Sequence, residues 1–259
     1  MKSECFLSVI IPAFNETLRL RKTLPELREF LRQRNFTWEV VLVDDGSEDD
    51  TSQIPQNIFT ENEFQIVRYE TNRGKGYAVK KGVQASRGEF CLITDADLST
   101  PLVEFIKLKT YLDQGYDIAI GSRALSESNV VVPQSGFRQG MGKGFNFLIK
   151  TLGLGDFMDT QCGFKCIWRE KAAPVFSKMR INGFCFDVEF LFIANKWGLK
   201  IKEVPVEWHN CTSSKVHVIW SPIQMFRDLI RIRVNAFRGI YKQCSAGSDL
   251  TERRKFFLH

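Results

Sequence analysis

The chain has 259 residues, 44% of them hydrophobic and 25% charged, with a formal net charge of +6 at pH 7. These proportions are close to those of soluble globular proteins, and they exclude a disordered tail, a collagen-like repeat and a small disulfide-stapled scaffold. The length fits one large α/β domain, and the mild positive charge alone does not indicate a nucleic-acid partner.

Residues 1–120 alternate short apolar runs with stretches of helical periodicity. Residues 6–11 form a continuous apolar run, which predicts a strand buried on both faces. Residues 18–31 carry leucines three and four positions apart, which predicts a helix. Further strands are predicted at residues 38–43, 64–69, 90–94 and 118–121. The other predicted helices are a polar helix capped by Ser47 and helices at residues 76–85 and 102–112. This succession predicts a mostly parallel sheet with helices on both faces.

The second half of the chain is less regular, and no linker separates it from the first half. The predictions there are a loop with exposed valines at residues 126–136, helices at 137–154 and 186–197, and a strand at 200–206. We therefore assign residues 1–218 to one α/β domain and residues 219–259 to a C-terminal segment.

Residues 219–241 have the pattern of an amphipathic helix with a basic border. An apolar stripe bordered by cations is what an interfacial helix presents to anionic lipid headgroups. The alternative is an ordinary helix packed on the domain, with solvated arginines at its rim. The stripe consists of Ile219, Ile223, Phe226, Ile230, Val234, Phe237 and Tyr241, and the basic flank of Arg227, Arg231, Arg238 and Lys242.

Charged side chains follow most of the predicted strands, although the strands themselves are nearly all apolar. The carboxyl ends of parallel strands meet at one edge of a sheet, and ligands of open α/β sheets bind at that edge. The sequence therefore predicts one functional rim. Its clusters are residues 12–16, 44–47, 72–76, 95–97 and 121–123.

Asp95 and Asp97 flank Ala96 directly after a predicted buried strand. Two carboxylates at this spacing can bind a hard divalent cation such as Mg²⁺ or Mn²⁺, which takes its other ligands from substrate phosphate and water. The alternative is an acidic turn without metal. The position of Asp95 and Asp97 beside the other charged clusters favours the metal site.

Two common nucleotide-binding motifs are absent from the sequence. The first strand is followed by Pro12 and not by a G-x-G-x-x-G motif. This argues against a dinucleotide-dependent dehydrogenase. No G-x-x-x-x-G-K-[ST] motif occurs either, so the chain is not a P-loop enzyme. The turn at residues 73–76 could still meet a phosphate or a base through its backbone N–H groups and Lys75.

Together these clusters resemble the family 2 glycosyltransferases with a GT-A fold, a single Rossmann-like domain that binds nucleotide sugars. Residues 9–16 look like the family's opening strand and nucleotide loop, residues 43–47 like its second loop, and residues 95–97 like its metal motif. Later segments resemble the polyprenyl-phosphate hexosyltransferases, and most closely the dolichyl-phosphate β-glucosyltransferase branch. These segments are residues 120–123, 159–165, 186–189, 203–208 and 214–215.

The resemblance implies a nucleotide-sugar site with UDP-glucose as the donor. Asp44 would accept a hydrogen bond from the ring N–H of uracil, and Asp95 and Asp97 would hold Mg²⁺ or Mn²⁺ against the diphosphate. The implied nucleotide-sugar residues are Pro12, Ala13, Asn15, Glu16, Asp44, Asp45, Gly74, Lys75, Asp95, Ala96 and Asp97.

The resemblance further implies inverting transfer to dolichyl phosphate. A phosphate nucleophile is largely ionised at pH 7, so the reaction needs no general base, and the site has to neutralise and orient charge instead. Asp187 would orient one of the cations or contact the sugar, unless it is an ordinary cap or salt-bridge partner. The expected catalytic residues are Asp97, Arg123, Arg138, Lys165 and Asp187.

The acceptor lipid is expected to meet cations and an apolar helix face. Apolar residues of the helix at 137–154 would line a groove for the first isoprene units, or else belong to the core. The expected acceptor-binding residues are Arg123, Arg138, Phe137, Met141, Phe145 and Lys215.

The resemblance places the enzyme on the cytoplasmic face of the endoplasmic reticulum membrane, or in the cytosol, supplying a lipid-linked donor for N-glycan precursor assembly. No stretch reaches the roughly 18–20 apolar residues of a membrane-spanning helix, and no secretory signal is expected. The basic C-terminal segment, a membrane-anchoring subunit or a homo-oligomer would then provide the membrane contact. The alternatives are a GDP-mannose-dependent dolichyl-phosphate mannosyltransferase, a bacterial undecaprenyl-phosphate hexosyltransferase and a non-enzymatic nucleotide-sugar sensor.

Overall fold

A computed structural model describes residues 5–132, 136–209 and 220–243 of the chain. Its strands are β1 (Leu7–Ala13), β2 (Trp38–Asp45), β3 (Phe64–Tyr69), β4 (Phe90–Ile93), β5 (Ile118–Ser122), β6 (Asn129–Val132), β7 (Lys165–Trp168), β8 (Ile201–Pro205) and β9 (Glu207–His209). Seven of them form the central sheet in the order β3-β2-β1-β4-β7-β5-β8, and β6 pairs with β9 in a small second sheet.

The strand order reverses at β1, which lies between β2 and β4 and runs parallel to both. In open α/β sheets such a reversal opens a crevice at the carboxyl ends of the strands. Strand β7 is antiparallel to β4 and β5, and Lys165 lies opposite Ile93 and Ile120. The first residue of β7 therefore lies at the same edge of the sheet where β4 and β5 end.

Helices cover both faces of the sheet, as the sequence predicts. They are α1 (Thr17–Arg32), α2 (Lys75–Ala85), α3 (Glu104–Asp113), α4 (Gly136–Thr151), α5 (Arg169–Lys178), α6 (Phe186–Lys196) and α7 (Trp220–Phe237). Alternate residues of β1 serve the two faces, since Ile10 packs with α2 and α6, whereas Val9 and Ile11 pack with α1 and α3. Leu229 and Ile232 of α7 belong to the same core as Ile10, so this helix is anchored on the sheet domain.

The polar helix expected after β2 is absent. Two short 3₁₀ turns, Asp50–Gln53 and Pro55–Asn57, occupy that stretch. Asp49 caps the first turn by accepting a hydrogen bond from the Thr51 N–H, and the predicted cap, Ser47, instead accepts from the Asn15 N–H. Pro55 stands between the two turns and has no backbone N–H to donate to a carbonyl of the first turn, so the stretch does not continue as one longer helix, although Ile54 before it keeps helical dihedral angles.

Other differences lie in the second half. The predicted loop at residues 126–136 contains β6, whose β-branched valines suit a strand. Strand β7 and helix α5 were not predicted, because β7 has only four residues and α5 carries an internal proline. Helix α7 ends at Phe237, and Tyr241, expected on the exposed stripe, is fully buried. Ile219 lies outside the described residues.

None of the helices in the described ranges is both long enough and apolar enough to cross a membrane.

Helix α2 packs against the sheet through a glycine. A Cβ atom added to Gly82 would lie 2.3 Å from Cγ2 of Ile10. We expect Gly82→Ala to lower the free energy of unfolding by about 1–3 kcal/mol, because overpacking outweighs a gain in helix propensity of about 1 kcal/mol. Urea unfolding followed by circular dichroism measures the change.

Gly142 in α4 is the matched control, because its added Cβ has no atom of the described residues within 4 Å, apart from its chain neighbours and the backbone of its own helix. Gly142→Ala is expected to leave stability unchanged or to raise it by up to about 1 kcal/mol. A Gly82 variant as stable as the Gly142 variant would contradict the close packing of α2.

Candidate active site

The loops after β1 and β2 are joined by hydrogen bonds at the carboxyl edge. The Asn15 N–H donates to Ser47 Oγ, and Asn15 Oδ1 accepts from the Glu48 N–H, both at 2.9 Å. Asn15 has a φ of 54°, a left-handed conformation that asparagine tolerates better than most residues. Glu16 follows it and pairs with Arg19 at 2.8 Å. These bonds hold Pro12, Ala13, Asn15 and Glu16, all predicted nucleotide residues, against the end of β2.

Asp44 is fully buried near the end of β2. Its Oδ1 accepts a hydrogen bond from the Ser47 N–H at 2.9 Å. Its Oδ2 is buried without a hydrogen bond from any described residue, although Arg68 Nε lies 3.4 Å away. Arg68 thus offsets part of the cost of burying this charge, and Oδ2 could still accept a hydrogen bond from an N–H donor supplied by a ligand.

Asp45 braces the turn that precedes α2. Its carboxylate accepts from the Arg73 N–H at 2.8 Å and from the Gly74 N–H at 2.9 Å. The Gly76 N–H donates to the Asn182 carbonyl at 2.7 Å. These backbone donors are already engaged, which argues against the predicted backbone anion cradle and leaves the Lys75 side chain as the chemical group of the turn.

Asp95 and Asp97 lie directly beyond β4 and face different partners. Lys75 Nζ lies 2.5 Å from Asp95 Oδ1, whereas Asp97 Oδ1 accepts from the Ser99 N–H at 3.0 Å. Burial acts to raise the pKa of Asp95, but Lys75 and the cations beyond it outweigh burial and lower that pKa below its ordinary value. Asp95 is therefore ionised at neutral pH. Ala96 between them is buried, and its carbonyl accepts from Thr23 Oγ1.

These two carboxylates fit a divalent cation that takes most of its ligands from elsewhere. Among the described residues, no group of three or more His, Cys, Asp or Glu side chains could hold a metal ion. Mg²⁺ and Mn²⁺ commonly bind one or two carboxylates and complete their shell with phosphate oxygens and water. Asp95 and Asp97 thus match a metal that arrives with a phosphorylated substrate.

Gly163 lies against the Asp95 carboxylate. A Cβ atom added to Gly163 would lie 2.0 Å from Asp95 Oδ2, so no larger residue leaves this carboxylate in place. The sequence motif at residues 159–165 includes this glycine, but its contact with Asp95 becomes visible only when β7 lies beside β4.

Arg123 is bound to a carboxylate that the sequence analysis did not single out. Its Nε and Nη2 donate to Asp159 at 2.6 and 2.8 Å, and its backbone N–H donates to the same side chain at 3.0 Å. Burial acts to raise the pKa of Asp159, but the guanidinium outweighs it and holds that pKa below its ordinary value. The two charges neutralise each other at the end of β5.

Lys165 and Asp187 form a second, more deeply buried pair. Their side chains are 2% and 6% exposed, and Lys165 Nζ lies 2.7 Å from Asp187 Oδ1. Lys165 Nζ also donates to the Cys162 carbonyl. Burial raises the pKa of Asp187, although Lys165 and Lys75 oppose the shift. Asp187 is thus the ion-pair partner of Lys165, a contact that fits both the predicted orienting role and the ordinary salt bridge that the sequence left open.

The described cluster is balanced in charge. The sequence predicts a pocket rich in positive charge, but each described cation contacts an acid because unpaired charges are costly to bury. The pairs are Lys75 with Asp95, Arg123 with Asp159, and Lys165 with Asp187. Direct phosphate binding by Arg123 and Lys165 stays a prediction.

Apart from Arg123, the predicted acceptor residues lie in or after α4. Met141 is half-buried, and Phe145 packs partly against the core, so Phe145 has a structural role as well. The side chains of Phe137 and Arg138, and all of Lys215, lie outside the described part of the chain.

Glu189 is a buried support that sequence reasoning missed. Its carboxylate accepts from the Arg180 N–H at 2.9 Å, the Ile181 N–H at 2.8 Å and the Tyr241 hydroxyl at 2.5 Å. The next residue, Asn182, accepts from the start of α2 through its carbonyl. Glu189 thereby holds residues 180–182 in place, and the Asn182 carbonyl in turn binds the start of α2, where Lys75 lies.

Comparison with known proteins supports a common family. The glycosyl transferase family 2 model matches residues 8–173. The chain is 36% identical over 250 residues to dolichyl-phosphate beta-glucosyltransferase of Dictyostelium discoideum, covering 92% of this chain and 76% of that protein. The protein of the same name from Mus musculus is 39% identical over 250 residues, covering 91% of this chain and 77% of its own length.

Solved structures share the fold. Glucosyl-3-phosphoglycerate synthase from Mycobacterium tuberculosis, in complex with Mn²⁺ and UDP-glucose, aligns with a TM-score of 0.65 at 17% identity and covers 88% of this chain and 79% of that chain. Mannosyl-3-phosphoglycerate synthase from Rubrobacter xylanophilus aligns with a TM-score of 0.63 at 17% identity and covers 91% of this chain and 74% of that chain. The predicted GT-A fold is confirmed.

Gly163→Ala is expected to displace the Asp95 carboxylate and weaken divalent-metal binding. Removing a support of a metal ligand typically costs about 10–100-fold in metal affinity, and we expect a loss in that range. Titration of Mn²⁺ followed by electron paramagnetic resonance measures it. Gly183→Ala is the control, because its added Cβ meets no atom closer than 3.7 Å. Equal Mn²⁺ affinity in the two variants would refute the close approach of Gly163 to Asp95.

Asp187→Ala is expected to lower the free energy of unfolding by about 3–5 kcal/mol, because it leaves Lys165 buried and unpaired. Replacing both partners, as Lys165→Met with Asp187→Leu, should recover most of that loss. Urea unfolding tests both variants. Arg32→Ala, at a 53% exposed ion pair, is the control and should cost less than about 1 kcal/mol. A cost for Asp187→Ala as small as the control's would show that the pair is not buried in solution.

Proposed function

The chain belongs to glycosyl transferase family 2, and we propose that it transfers glucose from UDP-glucose to dolichyl phosphate, giving dolichyl β-D-glucosyl phosphate and UDP. The names and high coverage of the curated relatives support the acceptor and the sugar. The observation in this chain that carries the proposal is Oδ2 of buried Asp44, which has an ion-pair contact with Arg68 but no hydrogen bond from a described residue.

A uracil ring supplies the donor that Asp44 lacks. The ring N–H can donate to Oδ2, while Oδ1 keeps its bond to the Ser47 N–H. This hydrogen bond would link the nucleotide to the loops after β1 and β2, which the hydrogen bonds of Asn15 hold together. The same pocket would then position the rest of the donor along the carboxyl edge of the sheet.

The diphosphate would lie beside the end of β4. Asp95 and Asp97 would hold Mg²⁺ or Mn²⁺, which supplies Lewis-acid stabilisation of the leaving diphosphate when bound. Lys75 contacts Asp95 and would stabilise negative charge that develops on the departing UDP.

The chemical step is an in-line displacement at the anomeric carbon. An acceptor phosphate oxygen forms the new bond to this carbon, the bond from the carbon to the UDP oxygen breaks, and its electron pair leaves with UDP. Because the acceptor phosphate is already largely ionised near pH 7, no side chain has to remove a proton. The arrangement is compatible with this, since Asp187 is committed to Lys165.

Arg123 and Lys165 would act on the acceptor phosphate while each stays paired with a carboxylate, Arg123 with Asp159 and Lys165 with Asp187. Asp159 fixes the plane of the Arg123 guanidinium, and one terminal nitrogen, Nη1, is not used in the hydrogen bonds to Asp159. Guanidinium groups suit phosphate oxygens, and a preoriented group loses less entropy on binding. Arg138 and Lys215 would add the positive charge that the described cluster lacks.

The proposed site of action is the cytoplasmic face of the endoplasmic reticulum, with the enzyme bound peripherally. The product would serve as a lipid-linked glucose donor for N-glycan precursor assembly. The acceptor in the names of the curated relatives is itself a membrane lipid, which supports work at a membrane surface.

The test is incubation with labelled UDP-glucose, Mn²⁺ or Mg²⁺, and a short polyprenyl phosphate, followed by organic extraction. We expect label in the organic phase with UDP-glucose and none with GDP-mannose. Transfer from GDP-mannose alone would overturn the donor assignment, and label that stays aqueous with every donor would overturn the activity.

Asp44→Asn is expected to raise the KM for UDP-glucose by about tenfold or more, with a smaller effect on kcat. The asparagine oxygen can keep the bond to Ser47, but its NH₂ group then faces the uracil N–H, so one hydrogen bond becomes a clash of two donors. Steady-state kinetics measures the split. Asp113→Asn, at an exposed position of α3, is the control and should leave KM unchanged. An unchanged KM in Asp44→Asn would remove the uracil contact.

A further inference from the structure

The indole ring of Trp208 in β9 lies beside the Arg123 guanidinium. The central carbon of that group, Cζ, is 5.4 Å from the centre of the ring. Trp208 is only 9% exposed, yet neither of the two apolar clusters that the described residues form on the faces of the sheet includes it. This buried ring therefore contacts a cation of the catalytic edge without belonging to the packed core.

Asp159 and Trp208 constrain the guanidinium in different directions. Asp159 accepts from Nε at 2.6 Å and from Nη2 at 2.8 Å, and these two bonds fix the rotation of the group within its own plane. The negative face of an aromatic ring attracts a cation beside it, and this attraction opposes tilting of the guanidinium plane. With both contacts in place, Nη1 is the terminal nitrogen that Asp159 leaves for a further acceptor. Arg123 is therefore a preoriented donor.

One short segment of the chain supports Arg123 twice. The Glu203 carboxylate of β8 accepts from the Asp159 N–H at 2.9 Å and so holds the backbone of the residue that binds the guanidinium. Trp208 follows five residues later and contacts the same guanidinium through its ring. Residues 203–208 thus fix both the in-plane partner and the aromatic neighbour of Arg123.

Strand β9 also reaches the loop with the two predicted metal-binding carboxylates. The His209 N–H donates to the Ser99 carbonyl at 2.8 Å, and the Ser99 N–H donates to Asp97 Oδ1 at 3.0 Å. Trp208 therefore lies at a fixed place between Arg123 and Asp97. An in-line transfer depends on such distances, because a misplacement of about 1 Å can cost about a hundredfold in rate.

We propose that Trp208 is a positioning residue for the transfer, and that its ring holds the Arg123 guanidinium in the orientation in which Nη1 donates to the acceptor phosphate. The inference rests on the proposed function, because it requires a phosphate at the acceptor end. Trp208 acts through Arg123 and takes no part in bond making or breaking. A ring that only filled space would be replaceable by any apolar side chain of similar size.

The test compares Trp208→Leu, which keeps apolar bulk without an aromatic face, with Trp208→Phe, which keeps the face. The readout is kcat/KM for a short polyprenyl phosphate at saturating UDP-glucose and Mn²⁺. We expect Trp208→Leu to lower kcat/KM by about tenfold, within the range that the energy of a cation–π contact gives. Trp208→Phe should stay within about twofold of the wild type, because the aromatic face is still present.

Two donor-side measurements separate positioning from a general loss of structure. The KM for UDP-glucose and the affinity for Mn²⁺ in the presence of UDP should be unchanged in both variants. The reason is that the bond from His209 to Ser99 joins backbone atoms and does not involve the indole ring. A parallel loss of Mn²⁺ affinity in Trp208→Leu would show that the substitution disturbs β9 as a whole, and it would overturn the positioning role.

Trp168 is the matched control at the opposite edge of the sheet. Lys171 Nζ lies 4.3 Å from the centre of its ring, and Trp168 is paired with Phe90, the first residue of β4. Trp168→Leu thus also removes an aromatic face beside a cation, but it should leave kcat/KM for the acceptor unchanged. An acceptor defect in Trp168→Leu equal to that of Trp208→Leu would contradict the proposal.

A double substitution tests whether Trp208 acts through Arg123. In an Arg123→Gln background, Trp208→Leu should lower kcat/KM by less than about twofold more, because the ring then has no cation to hold. A full tenfold loss in that background would show that Trp208 acts by another route.

The outcomes for the wild type separate this inference from the proposed function. A wild type that forms no lipid-linked glucose refutes the proposed function, and the role of Trp208 falls with it. An active wild type whose Trp208→Leu and Trp208→Phe variants have the same kcat/KM refutes the role of the aromatic face and leaves the proposed function standing.

Discussion

The buried pair of Lys165 and Asp187 is the constraint on which the catalytic edge depends. Lys165 begins β7, the antiparallel strand between β4 and β5, and Asp187 lies in the first turn of α6. A charge buried this deeply needs its partner at a fixed distance, so strand and helix can pack in only one relative position. That position brings Gly163 against Asp95 and Asp159 against Arg123.

The sequence was a good guide to the first half of the edge. Each parallel strand there is an apolar run with polar residues at its end, and local pattern alone places Asp44 and Asp95 on one rim. The pairing of Arg123 with Asp159 and of Lys165 with Asp187 could not be predicted in the same way, because each pair spans many residues and depends on a four-residue antiparallel strand.

Most of the residues proposed to act on donor and acceptor lie within the part of the chain that the family model matches, and their supports lie partly beyond it. The family model ends at residue 173, and the loops that would bind the nucleotide lie inside it. Asp187, Glu189 and α7 lie beyond it. Asp187 pairs with Lys165, and Glu189 holds the backbone at residues 180 and 181. Because α7 shares its core with α2 and α6, this last helix and the carboxyl edge of the sheet are parts of one packed body.

The hydrogen bond from Tyr241 to Glu189 has a consequence for biosynthesis. Glu189 supports the segment beneath α2 through backbone bonds at residues 180 and 181, and its remaining partner comes from far later in the chain. A nascent chain that has emerged only as far as α6 lacks this partner and all of α7, while domains on the ribosome fold from the N-terminus onward. The support of this edge is thus completed only after Tyr241 has emerged from the ribosome and α7 has packed on the sheet.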